Sequence, residues 1–302
     1  MTRDRISVCV CTYSRPAMLK GLLEALAVQH TTARYDFDIV VVDNDERRSA
    51  EKVVAAFVAR DAVPVTYDCE PERNISLARN RAIRNASGNL IAFIDDDEIP
   101  KADWLTRLHD TYVTCAPDGV LGPVLPDFPA AAPGWLTKAN VFRRRRLSTG
   151  ARIAEGDGRT GNVLLRRRLF TEDGCWFDPS FGRSGGEDTD FFQRQFSRGG
   201  TFVWCDEAAV TETVPPERWT VKFHVKRLLR AGTTDGELMR NGKLKSDGLV
   251  VRNAVILCGC VAVMTPALLL PKYLWVRVAQ KLAYSGGVVA AYCGLPLLKY
   301  RD

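Results

Sequence analysis

Four consecutive acids, Asp95, Asp96, Asp97 and Glu98, follow directly on the apolar run Leu90-Ile91-Ala92-Phe93-Ile94. Such a run reads as a buried parallel strand, and α/β proteins bind ligands at the carboxyl ends of such strands. Adjacent like charges cost free energy unless a cation neutralises them, and hard carboxylate oxygens select Mg²⁺ or Mn²⁺. In an extended segment Asp95 and Asp97 share one side and can address one ligand, while Asp96 and Glu98 face the other way. Further along, Gly182-Arg183-Ser184-Gly185-Gly186 leads into Glu187-Asp188. These two acids stand at an expected helix start, where a carboxylate either caps the helix or takes a proton from a substrate.

The elements that must hold these acids alternate as a doubly wound sheet requires. A strand over Ile6 to Cys11 leads through Thr12-Tyr13-Ser14-Arg15-Pro16 into a helix from Ala17 to about Val28, with Pro16 suited to the first helical position. A strand from Phe37 to Val42 ends at Asp43-Asn44-Asp45. A helix from about Ala50 to Arg60, a strand near Val63 to Tyr67, a helix from Ile75 to Ala86 and the turn Ser87-Gly88-Asn89 follow before the acidic strand. From 117 to 160, five prolines break the pattern ahead of the run Arg143-Arg144-Arg145-Arg146, which reads as a long loop region over the site. Regular structure resumes at Asn162 to Leu165.

With 302 residues, 26% charged and 46% hydrophobic, the chain can bury one sizeable core and a smaller second unit. The formal charge of +6 is concentrated: residues 138 to 168 carry ten Lys or Arg against Glu155 and Asp157. A local basic patch suits phosphates, a membrane surface or nucleic acid, but a globally basic chain would favour nucleic acid more strongly, so it is not an expected partner. Nine cysteines, none in a CxxC pair, read as buried thiols of a reducing compartment. No apolar signal region precedes the first strand, so secretion by a cleaved signal is not expected.

Composition changes after about residue 220, which divides the chain into an expected catalytic domain over 1–220 and a helical region over 221–302. Residues 254–271 and 282–298 are two apolar runs separated by a segment carrying Lys272, Arg277 and Lys281. Each is near the lower length limit for a spanning helix, and full crossing opposes the positive-inside tendency of the flanking charges. A re-entrant or interfacial hairpin is the expectation, with two buried core helices as the alternative. Lys226, Arg227 and Arg230 fall near one helical face, which can meet phosphates or lipid headgroups.

Four segments in order, Val8 to Pro16, Ile39 to Asn44, Leu77 to Ala82 and Ile91 to Glu98, followed by Gly185-Gly186-Glu187-Asp188, resemble family 2 glycosyltransferases. Within them the resemblance is to bacterial exopolysaccharide enzymes of the succinoglycan-assembly type. It implies a glycosyltransferase-A fold, Rossmann-like with a mostly parallel sheet, acting on a nucleotide-sugar donor such as a UDP-sugar with Mn²⁺ or Mg²⁺. Carried onto this sequence, it puts Thr12, Tyr13 and Arg15 at the nucleotide. Asp43 would bond uracil or ribose unless it is a turn residue, and Arg79 would contact the nucleotide. Asp95 and Asp97 become the metal pair, with Asp95 also near the ribose and Asp96 on the ribose or donor sugar. Asp188 becomes the general base, aided by Glu187, for one-step inverting transfer. Relatives often supply a histidine as third metal ligand. The stretch from Ala209 to Val214 has none, leaving Glu212 or His224 as substitutes. The expected acceptor is a lipid-linked saccharide at the cytoplasmic face of a bacterial inner membrane. A nucleotidyltransferase would more often show a glycine-rich loop in place of Thr12-Tyr13-Ser14-Arg15-Pro16, and a non-catalytic scaffold would keep the fold alone.

Overall fold

The computed structural model describes residues 3–295 apart from 62, 143, 171–175, 184, 243, 245, 247, 268 and 270. Arg143 of the arginine run lies outside the described residues, as do Lys299 and Arg301, which flank the second apolar run. The chain divides into two compact units: Met1–Leu125, Arg144–Arg183 and Glu187–Glu212 form one, and Pro126–Arg143, Ser184–Gly186 and Thr213–Asp302 form the other. The second unit therefore takes in a segment of the proline-rich stretch as well as the carboxyl-terminal helices.

The first unit is built by alternation. β1 (Asp4–Thr12), α1 (Pro16–Ala27), β2 (Tyr35–Asp43), α2 (Glu51–Val58), β3 (Val65–Cys69), α3 (Ile75–Asn85) and β4 (Leu90–Phe93) succeed one another, and all three strand pairings among them are parallel. Pro16 opens α1, and Asn74 caps α3 by accepting hydrogen bonds from Ser76 N and Leu77 N. Side chains alternate between two cores: Ile6, Val8, Val10, Leu90 and Ala92 pack on one face of the sheet, and Cys9, Val40, Val42, Ile91 and Phe93 on the other.

The stretch from 117 to 160 is more regular than its prolines predict. After β5 (Glu98–Pro100) and α4 (Trp104–Cys115) come β6 (Gly119–Leu121), β7 (Val124–Asp127) and the short helix α5 (Gly134–Ala139). β8 (Val163–Arg166), α6 (Glu187–Ser197), β9 (Phe202–Trp204) and β10 (Val210–Thr213) follow. The main sheet has the order β3-β2-β1-β4-β8-β6-β9, with β8 antiparallel to both neighbours, and β5-β10-β7 form a smaller sheet. The strand order reverses beside β1, so a crevice opens between the carboxyl ends of β1 and β4.

Asn162 locks this region. Its backbone is left-handed (φ 54°), a conformation asparagine tolerates. Its fully buried amide accepts from Trp104 Nε1 at 2.7 Å and donates to the carbonyls of Pro123 and Ala208 at 2.9 and 2.7 Å.

In the second unit, α7 (Val221–Arg240), α8 (Leu249–Ala267) and α9 (Lys272–Tyr292) pack with α5. α7 and α9 meet backbone to backbone: a Cβ on Gly236 would stand 2.4 Å from Val288 O, and one on Gly287 2.4 Å from Leu229 O. The charged segment expected to connect two apolar helices is instead the first half of α9. Its charges are used internally, since Arg277 donates to the carbonyls of Ala139 and Lys138 at 3.2 and 3.0 Å and Lys272 lies 4.7 Å over the Trp135 ring. Among the described residues no helix is long and apolar enough to cross a membrane. α8 nonetheless leaves apolar side chains in the open, with Val251 68%, Val255 67% and Val261 60% exposed.

Candidate active site

The acids after β4 do not continue as an extended strand. The chain turns, with Glu98 N donating to Asp95 O at 3.1 Å and Glu98 Oε2 accepting from Asp95 N at 3.2 Å. The strict alternation expected of Asp95 to Glu98 is therefore replaced by a turn, and neighbouring acids share partners. Arg15, at the start of α1, donates from Nη1 to Asp96 Oδ1 at 3.1 Å and to Asp97 Oδ2 at 3.3 Å. Thr12, the last residue of β1, donates to Asp96 Oδ2 at 2.7 Å across the crevice. Burial pushes the Asp96 carboxyl pKa up, against the opposing pull of Thr12 and Arg15.

A second arginine ties the acids after β4 to α6. Arg79 on α3 is buried, donates to Glu187 Oε1, and lies 3.8 Å from Asp95 Oδ1 with its guanidinium over the Phe177 ring. Burial works against its charge, but Glu187, Asp95 and Asp188 more than offset this. Burial raises the Glu187 pKa, with Arg79 opposing the rise and Asp188 adding to it, and Glu187 Oε2 is buried without a hydrogen-bond partner among the described residues. Asp188, next on the first turn of α6, is partly open, and its Oδ1 accepts from Thr189 N at 2.8 Å. The guanidinium of Arg79, a residue expected at the nucleotide, is engaged by Glu187 and lies against Asp95.

The residues at the ends of β1 and β2 border a cavity of about 530 Å³ lined by Tyr13, Asn44, Asp45, Glu46, Ser49 and Arg73 among others. Arg73 sits 4.6 Å over the Tyr13 ring, giving a cation-faced aromatic surface on which a flat ring system can stack. Asp43 is not part of this lining. It is fully buried, with Oδ1 accepting from Asp45 N at 3.2 Å and Oδ2 from Ala50 N at 2.7 Å and Tyr67 OH at 3.1 Å. Of the two roles open to Asp43, the structure gives it the turn. Asp45 and Arg73 were missed, although the acid at Asp45, two residues on from Asp43, was a usable signal.

The residues fit a hard divalent cation in donor chemistry. Asp95 and Asp97 supply carboxylate oxygens, and burial together with the Asp97 and Asp96 charges raises the Asp95 pKa against Arg79, a strain that a bound cation relieves. Among the described residues no group of three His, Cys, Asp or Glu is arranged to hold a metal. Glu212 lies opposite Glu98 in the β5–β10 register and is paired with Arg144 at 3.6 Å. His224 belongs to the second unit, fully buried with the Phe142 ring at 4.8 Å and the Trp135 ring at 6.2 Å. Burial, helped by Arg227, pushes its pKa down to about 4.

A mostly parallel α/β sheet with acids at its switch point and a second acid pair on a facing helix start defines a glycosyltransferase-A-like fold. The chain belongs to glycosyl transferase family 2, whose family model matches residues 7–174. It is 39% identical over 237 residues to the succinoglycan biosynthesis protein ExoM of Rhizobium meliloti, covering 78% of this chain and 75% of that one. It is 31% identical over 194 residues to a glucosyl-dolichyl phosphate glucuronosyltransferase of Haloferax volcanii, covering 60% of this chain and 58% of that one. Among solved structures, the Pyrobaculum calidifontis mannosyltransferase PcManGT, in complex with GDP-Man and Mn²⁺, superposes with a TM-score of 0.67 at 18% identity, over 96% of this chain and 88% of that one. S. aureus TarS in complex with UDP-GlcNAc superposes at 0.52 and 16% identity, over 96% and 92%. These two likenesses concern the fold.

Proposed function

We propose that this protein is an inverting glycosyltransferase that moves a sugar from a nucleoside-diphosphate donor, first among them a UDP-sugar, onto a lipid-linked or growing saccharide in exopolysaccharide assembly. The observation that carries this reading is the Arg79 bridge, which holds Asp95 and Glu187, the neighbour of Asp188, on one buried guanidinium. Donor-binding acids and a proton acceptor are thereby fixed about a common point, as one-step displacement requires. The relationship to a succinoglycan biosynthesis protein supports the polymer context.

In this reading the base stacks on Tyr13 in the cavity beside Asn44 and Asp45, and the diphosphate lies toward Asp95 and Asp97. A Mn²⁺ or Mg²⁺ held by those two carboxylates supplies charge neutralisation for the departing nucleoside diphosphate. Arg15, already bridging Asp96 and Asp97, keeps the turn in shape. Asp188 accepts the proton of the acceptor hydroxyl as its oxygen bonds to the anomeric carbon from the face opposite the leaving group, which inverts that centre. Glu187, held by Arg79, orients the acceptor. The exposed apolar face of α8 and the basic residues Lys222, Lys226 and Arg227 of α7 support membrane-surface docking at the cytoplasmic side.

Purified protein incubated with Mn²⁺ and a series of UDP-sugars, with and without a polyprenyl-diphosphate saccharide, should transfer one sugar with inverted configuration, detected by NMR of the product. Absence of transfer from every donor, also in membrane extracts, rules the reading out.

A further inference from the structure

A second cavity borders the acids after β4, and three arginines stand in its wall. Arg144, Arg145, Arg159, Leu147, Gly161 and Trp204 are among its lining. Gly161 is the wall it shares with the acids: a Cβ there would lie 2.9 Å from Glu98 Oε1 and 3.3 Å from Asp95 Oδ2. Only bare backbone separates the cavity from those carboxylates.

The three guanidiniums are not equivalent. Arg145 is 3.4 Å from Asp157, and Arg144 is 3.6 Å from Glu212. Arg159 makes no hydrogen bond or ion pair among the described residues. Arg159 is exposed at the surface, and desolvation of its guanidinium together with the neighbouring Arg144 cation lowers its pKa, with Asp188 and Asp157 opposing. The charge of Arg144 reaches Asp95 and Glu98, and that of Arg159 reaches Asp188. Arg144 thus acts electrostatically on the acids after β4 and Arg159 on the proposed base, the two groups between which the sugars would meet. A neutral sugar leaves the cost of the paired guanidiniums standing. A carboxylate removes it, because the planar guanidinium fork matches a carboxylate with two parallel hydrogen bonds.

We propose that Arg159, seconded by Arg144, recognises the carboxylate of an acidic sugar, carried by either the donor or the acceptor. This rests on the transferase reading above and adds the class of substrate to it. The diphosphate is the other anion in the reaction, and the experiment separates it from the carboxylate.

Binding of UDP, UDP-glucose and UDP-glucuronate in Mn²⁺ is measured by calorimetry. In a second arm, methyl β-glucuronide is compared with methyl β-glucoside by NMR titration at saturating UDP. The expected result is about a tenfold preference for the acidic member in one arm. It should be lost in Arg159→Gln and partly kept in Arg159→Lys, with UDP affinity unchanged within about twofold in both variants. The arm showing the preference identifies the sugar. Equal weakening of UDP, UDP-glucose and UDP-glucuronate in Arg159→Gln assigns the guanidinium to the diphosphate and overturns the proposal. So does the absence of any acidic preference in the unaltered protein in both arms. If UDP itself fails to bind the unaltered protein, the transferase reading has failed as well, which is a distinct result.

Discussion

At the scale of single residues, the site separates groups that do chemistry from groups that hold them. Asp188 is partly open and, among the described residues, hydrogen-bonded only to Thr189, as the proposed proton acceptor should be, whereas Arg79 is buried and bonded to Glu187. Asp188→Asn keeps the shape and removes the basic oxygen, so transfer should fall by roughly a hundredfold or more while UDP affinity stays within about twofold. Initial rates and calorimetry on the same preparation decide this, and unchanged turnover would exclude Asp188 as the base. Arg79→Met should act on stability first. It strips the partner from a buried carboxylate at Glu187 and should cost about 3 to 5 kcal/mol in urea unfolding, with Arg79→Lys losing less. The sequence made most of these residues visible, because their positions at strand ends and a helix start follow from short-range pattern. Asp43 and Arg79 show where that fails. Whether an acid faces ligand or its own turn depends on donors such as Ala50 N and Tyr67 OH, and the partner of Arg79 lies on α6, far along the chain.

At the scale of elements, the same contrast between local and distant causes explains which parts of the fold were legible. β1 to β4 with their helices follow from alternation and caps within each segment. β6 and β7 have only three and four residues, and their partners β8, β9 and β10 arrive much later in the sequence, so proline content outweighed a pairing no local signal reveals. The charged half of α9 misled for a related reason: Arg277 and Lys272, though exposed, find partners on the α5 segment. The glycines of α7 and α9 carry a stability prediction. Gly236→Leu forces a side chain against Val288 O and should destabilise the second unit by about 3 kcal/mol, whereas Gly259→Ala on α8, where a Cβ meets nothing within 4 Å, should be neutral or slightly stabilising. Thermal unfolding of both variants gives the comparison. For the exposed face of α8, Val255→Asp with Val261→Asp should abolish flotation with vesicles containing anionic lipid while leaving transfer to a soluble acceptor intact. Equal flotation of the variant would remove α8 from any membrane contact.

At the scale of the whole molecule, the two units carry buried titratable groups of opposite sign. In the first, burial raises the pKa of Glu98 and of Glu187, so the folded state holds their protons more tightly than the unfolded chain does. Their contribution is fully present below the ordinary glutamate pKa and is lost as pH rises through the raised values, so these two groups favour the folded state more as pH falls from neutrality. In the second, His224 has a folded pKa of about 4 against an ordinary 6.5, so the unfolded chain binds the proton first. Its stability is whole above the ordinary value and falls as pH drops from there toward 4, at up to about 1.4 kcal/mol per pH unit. Lowering the pH from 6.5 to 4.5 should therefore pull the two units apart in stability. Hydrogen exchange, corrected for the intrinsic rate at each pH, should show residues 221–240 losing protection while residues 90–98 keep or gain it. His224→Phe keeps the aromatic packing and removes the proton site, so it should flatten the pH response of the second unit alone. If residues 221–240 lose protection just as steeply in that variant, the response belongs to another group and the role given to His224 is wrong.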